Sequence, residues 1–305
     1  MKTAYIYPGL NGLLRPKDRI RYLPLPEVQA RFKQAEAALA AQTGVIVDLN
    51  ELLSRSTEEI YSIDNISLAA VAICSIQCGV GDRLKATHPA PEWLMGCSLG
   101  DLARAVFAEA YSFEDAVVNH VKFTRDIGGI NKIGKNIGVS TPAGTAFTPE
   151  DRAWFEEIKV DVSNFSPRFL NIGGRFEELA LIEERAKTSG WKTMTILEYP
   201  AHSRYILPYV DKVKREVLNV KTHAPKTKIF SSFSAKPITE ADEIRQEFIL
   251  SITQTIHWDL AVTKLVRDHG ITHFVNMGPC SSLTALMKDI AVTVETTEAY
   301  EILGL

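Results

Sequence analysis

Ser98 stands in the pentapeptide Gly96-Cys97-Ser98-Leu99-Gly100, a G-x-S-x-G pattern. Small residues on both sides permit a sharp turn that lifts the serine oxygen clear of the backbone. A helix starting directly behind such a turn stabilises negative charge that develops at its N-terminus. The chemistry this allows is nucleophilic attack by the serine oxygen, and it requires a base. Of seven histidines, His202 is the best placed, in Tyr199-Pro200-Ala201-His202-Ser203. A loop before a helix can aim an imidazole across a cleft, and the proline fixes the approach. His120 is expected on a helix face and His257 beside Trp258, both in surface or packing roles. His88, His223, His269 and His273 are expected to be exposed. The competing reading of the pentapeptide is a tight turn whose serine merely caps the helix.

The elements that must position these residues follow from the hydrophobic pattern. Trp93-Leu94-Met95 reads as a compact apolar strand entering the turn, with a helix predicted from 101 to about 110. Tyr5-Ile6-Tyr7 is a strand stopped by Pro8-Gly9. Residues 27–41 repeat apolar side chains at helical spacing, and 66–79 are apolar almost all round, as in a buried helix. Residues 113–125 continue as a helix. Between 129 and 149 glycine, threonine and proline are dense, which reads as loop. Strands at 160–162 and 169–172, a helix at 176–189 closed by Gly190 and a strand at 192–197 then make a small α+β insert. The larger pattern resumes after Tyr199 with strands at 228–231 and 273–277 and helices between them. This places a large α/β domain over 1–128 and 198–305 and the small insert over 129–197.

The chain has 305 residues, and at about 150 residues per domain that corresponds to one large domain or two. With 46% hydrophobic and 23% charged residues it can bury a sizeable core without staples. A net charge of −3 gives no electrostatic footprint for nucleic acid. The longest unbroken apolar run, 68–74, falls far below the roughly 18 residues of a membrane span, so no membrane partner is expected. The N-terminus lacks the apolar core of a signal peptide. Cys74, Cys78, Cys97 and Cys280 form no C-x-x-C pair, and no histidine lies at metal-ligand spacing from them. No metal site is expected, and free buried thiols indicate a reducing, cytoplasmic setting.

An α/β-hydrolase carries an acid between its serine and a histidine near the C-terminus; here the order and the insert fit that arrangement poorly. Over nearly its whole length the chain instead resembles the malonyl-CoA:acyl-carrier-protein transacylase family, which includes the acyltransferase domains of polyketide synthases. Tyr7-Pro8-Gly9 is similar to that family's opening F-P-G-Q-G loop, and Gly96-Cys97-Ser98-Leu99-Gly100 to its G-H-S-x-G elbow. Val162-Ser163-Asn164-Phe165-Ser166-Pro167 resembles the start of its small subdomain. Ala201-His202-Ser203 resembles its histidine motif, and Gly278-Pro279 with Leu283-Thr284 its closing G-P-x-x-x-L-T. The resemblance implies a large α/β-hydrolase-like acyltransferase domain with a ferredoxin-like insert. It further implies Ser98 as nucleophile, His202 as base, backbone N–H groups of Leu10 and Leu99 as oxyanion hole, and Gln254 orienting the histidine through its carbonyl. No cofactor is implied beyond the phosphopantetheine thiol of an acyl carrier protein, or CoA, that carries the substrate.

The chain departs from that pattern in its expected substrate pocket. The arginine that clamps a malonyl carboxylate in relatives falls on Phe123, and Arg125, two residues on, is expected to point away. Cys97, Ala201 and Tyr199 are the other expected pocket residues; Ala201, where many malonyl-selective relatives carry Phe, leaves room for a longer acyl chain. These departures favour an uncharged acyl group, passed from acyl-Ser98 to a carrier thiol or to water. The alternatives are a malonyl transacylase with a relocated cation, a catalytically silent carrier-protein docking module, and an unrelated serine esterase. Lys132, Lys135, Lys212, Lys214, Lys221, Lys226 and Lys228 are a candidate basic rim for an acidic carrier protein.

Overall fold

Short strands that are apolar on both faces require a sheet covered on both sides. In the computed structural model, which describes residues 1–125, 129–251 and 253–305 except the Arg125 side chain, two such strands form the centre. They are β1 (Thr3–Tyr7) and β2 (Trp93–Gly96), paired in parallel. The small sheet supplies β3 (Gly134–Ser140), β4 (Asp161–Ser166), β5 (Phe169–Arg175) and β6 (Lys192–Leu197). The large sheet is completed by β7 (Lys228–Phe230), β8 (Pro237–Ile238), β9 (His273–Asn276) and β10 (Glu295–Glu298). Its order is β10-β9-β1-β2-β7-β8, parallel except for the β7–β8 pair.

Alternation along the strands divides the core. Tyr5, Tyr7 and Leu94 enter one cluster, packed under α1 (Pro26–Thr43), α2 (Ile66–Thr87), α3 (Gly100–Phe107) and α4 (Phe113–Arg125). Ala4, Ile6, Trp93 and Met95 enter the other, with Trp258, Ala261 and Leu265 of a C-terminal helix. α2 is long and apolar enough to cross a membrane, but 72% of its most apolar window is buried between its neighbours. It runs eight residues past the predicted end because Val80 and Leu84 stay in the core while Arg83 turns outward. His273 corrects an expectation: it is buried in the central part of the sheet, where Thr297 lies 2.8 Å from its Nε2.

The small sheet has order β4-β5-β3-β6, antiparallel throughout. Chain order is β3, α5 (Pro149–Glu157), β4, β5, α6 (Phe176–Ser189), β6. β3 lies within the 129–149 stretch that reads as loop, and α5 begins at its end. β3 hides behind its glycines, yet a Cβ on Gly138 would stand 2.7 Å from the Phe169 ring, so the strand needs them. α5 did carry a signal: Pro149 follows Thr148, which forms a reciprocal capping box with Asp151. Ile137, Val139, Leu170 and Ile172 turn one sheet face onto Phe155, Leu179 and Ile182, giving this unit its own core.

Candidate active site

The turn after β2 is held by close backbone packing. Ser98 has φ 56°, a left-handed conformation that costs an L-residue about 1–3 kcal/mol and is kept only where the surroundings fix it. Gly100 must lack a Cβ, which would run into the carbonyl of Tyr7 at the end of β1. Behind the turn, α3 is anchored by the buried Arg104, which donates from Nη2 to Glu247 Oε1 (2.7 Å) and from Nη1 to the Phe230 carbonyl (2.9 Å). Its Nε lies 2.8 Å from Asp101 Oδ1. Burial nevertheless pushes the Asp101 carboxyl up to about 7, against the pull of Arg104.

His202 comes from the loop after β6, and its φ of 55° is again left-handed. Three contacts hold this loop. Asn136 of β3 donates from Nδ2 to the Ala201 carbonyl (2.8 Å), and Ser203 Oγ donates to the Pro200 carbonyl (2.6 Å). Arg204 grips Asp161 of β4 through both Nε and Nη2, each at 2.9 Å. The small sheet therefore braces the histidine loop, while the large sheet braces the serine.

The result is a contact of 2.8 Å between His202 Nε2 and Ser98 Oγ. The imidazole is buried, and desolvation lowers its pKa to about 4, partly offset by backbone groups of Ser251 and Gln254. Neither of those closes a hydrogen bond of good geometry to Nδ1, which has no such partner among the described residues. Ser251, at the end of α8 (Ala241–Leu250), was not found from the sequence, because a backbone contact leaves no side-chain signature. The Pro8-Gly9-Leu10 loop abuts the elbow: a Cβ on Gly9 would be 3.0 Å from the Cys97 carbonyl and 3.5 Å from Ser98 Cβ. Leu10 opens a 3₁₀ turn and Leu99 caps α3, so both present first-turn N–H groups, which a helix leaves without internal acceptors.

A cavity of about 150 Å³ opens beside this pair, walled by Leu10, Leu99, Phe123, Tyr199, Ala201 and Phe248, with Val213 and Val217 of the helix Val210–Leu218 (α7). Among the described residues no Lys or Arg lines it, and its charged side chains are Asp101 and Glu216. The Arg125 side chain lies outside the described residues. Cys97 is a correction: period-2 alternation carries it with Trp93 and Met95 to the opposite sheet face, where it is buried in the second core cluster. His120 is another, since it lines the cavity rather than the surface or the packed core. Of the lysines considered as a rim, Lys135 pairs with Glu183 and Lys226 with Glu109. Among the described residues, no cluster of three or more His, Cys, Asp or Glu could hold a metal ion.

A neutral imidazole accepts the serine proton and a protonated one cannot. Since burial holds His202 near 4, the rate of Ser98 acylation should stay level from pH 8 to about pH 5 and be halved near pH 4. Single-turnover loading across that range checks this; a fall centred near 6.5 would contradict it.

Residues 24–305 match the acyl transferase domain family. The malonyl CoA-acyl carrier protein transacylase of Bacillus subtilis is 24% identical over 97% of this chain and 92% of its own length. The corresponding transacylase structure from Coxiella burnetii superposes with a TM-score of 0.84 at 24% identity, covering 100% of this chain and 96% of that one. A malonyl transacylase solved with its type II polyketide synthase acyl-carrier protein gives 0.84 at 21% identity, covering 98% and 96%.

Proposed function

The chain belongs to the acyl transferase domain family, with its mixed α/β acyltransferase fold, and from that premise we propose that it is a transacylase of the malonyl-CoA:acyl-carrier-protein type. Ser98 Oγ attacks a thioester carbonyl while His202 Nε2 takes its proton, the N–H groups of Leu10 and Leu99 receive the oxyanion, and the thiol leaves with the proton. A carrier-protein thiol then takes the acyl group from Ser98 in the reverse sense. The observation that carries this reading is the 2.8 Å Ser98–His202 contact beside a largely apolar cavity. It disfavours the silent docking module, which needs no aligned base, and the names of the relatives support a carrier thiol over water as acceptor. They also favour the malonyl donor over the uncharged one.

One observation favours a second reading of the acyl group. Phe123 and the cavity's lack of a cation among the described residues suit an uncharged acyl chain, because a buried carboxylate without a partner is costly by several kcal/mol. The β-α-β-β-α-β order of the small sheet supports a ferredoxin-like insert over 129–197 in a hydrolase-like domain made of 1–128 and 198–305. Four free thiols support a cytoplasmic setting. The test is a chase: protein loaded with a labelled acyl group is mixed with holo-carrier protein or with buffer alone. Transfer of label to the carrier at least tenfold faster than its release to water is expected; equal rates would mark a hydrolase instead.

A further inference from the structure

His120 is a polar side chain of the cavity that the reaction leaves unused. It shares an α4 face with Ala116 and Phe123, so all three turn to the cavity. It also borders a smaller adjoining cavity, as does Tyr199. Among the described residues neither the His120 ring nor the Tyr199 hydroxyl has a hydrogen-bond partner. Other polar neighbours are committed: Thr124 Oγ1 donates to the His120 carbonyl (2.8 Å), and Asn119 Nδ2 to Tyr111 Oη (3.4 Å). Both residues are only partly buried and open onto the cavity, so their polar atoms are free to meet a ligand atom there.

We infer that His120 is an acyl-recognition residue, its imidazole hydrogen-bonding an oxygen that the acyl group carries beyond its thioester carbonyl. The inference rests on Ser98 being the acylated residue. Burial holds the ring neutral, with a pKa lowered to about 4, so one nitrogen donates and the other accepts. That suits a hydroxyl or keto oxygen directly, and a carboxylate through the donating nitrogen. Tyr199 lines the same space, and its hydroxyl can supply a second bond to that oxygen.

The experiment measures initial rates of Ser98 loading from 3-hydroxybutyryl-CoA, malonyl-CoA and butyryl-CoA, for the wild type, His120→Leu and His120→Gln. One oxygenated donor should load at least tenfold faster than butyryl, about the worth of one hydrogen bond. His120→Leu should cut that ratio by about tenfold, and His120→Gln, which keeps a donor and an acceptor, should restore part of it. Preference for 3-hydroxybutyryl identifies a neutral oxygen and preference for malonyl a carboxylate. A ratio unchanged in both variants while Ser98 still loads overturns the role of His120. Failure of the wild type to load any donor overturns the reading at Ser98 itself, and His120 with it.

Discussion

Ser98→Ala is expected to abolish covalent loading by every acyl thioester, and His202→Ala to slow it by about 10³-fold, as loss of a positioned general base does. The serine needs its base because its own hydroxyl is a weak nucleophile, and Nε2 at 2.8 Å is the group in reach of its proton. Two left-handed residues, Ser98 and His202, bring the atoms together from different sheets. Rapid-quench measurement of adduct formation decides the matter. Adduct on the Ser98→Ala protein, or full speed in His202→Ala, would contradict the assignment.

Phe123→Arg is expected to raise malonyl loading relative to butyryl by about 100-fold, close to 3 kcal/mol at 1.36 kcal/mol per decade. The side chain faces the cavity, one helical turn beyond His120, where the charged groups among the described residues are carboxylates. A guanidinium there would meet an incoming carboxylate with a charge-assisted pair in a desolvated setting. Loading rates with the two donors, before and after the substitution, give the ratio. A ratio that does not move would mean that a malonyl carboxylate already finds a partner in the native pocket, and would remove the uncharged reading.

The elbow was legible in the sequence because its requirements are local. A strand must end, a helix must begin, and glycines must flank the serine so that Gly100 can lie against the Tyr7 carbonyl. The loop and proline around His202 leave a plain loop histidine equally open, and it is the resemblance of Ala201-His202-Ser203 to the family's histidine motif that singles it out. β3 was not, because its two glycines read as loop while the strand is secured by pairing on both sides, with β5 and β6. Adjacency to Ser98 places Cys97 in the pocket on the sequence alone, whereas strand alternation sends it to the other face. His120 reads as a surface or packing residue because a helical pattern does not tell whether a face meets solvent, protein or a cavity. Ser251 meets the imidazole only through its backbone polarity, which residue type cannot reveal.

Every step proposed for this site depends on Ser98 taking an acyl group from a thioester. Intact-mass measurement after incubation with an acyl-CoA panel, followed by peptide mapping, tests it most directly. A single added acyl group is expected on the peptide containing Ser98, discharged when holo-carrier protein is added. Protein of unchanged mass across the panel, or an adduct on any other residue, would contradict it.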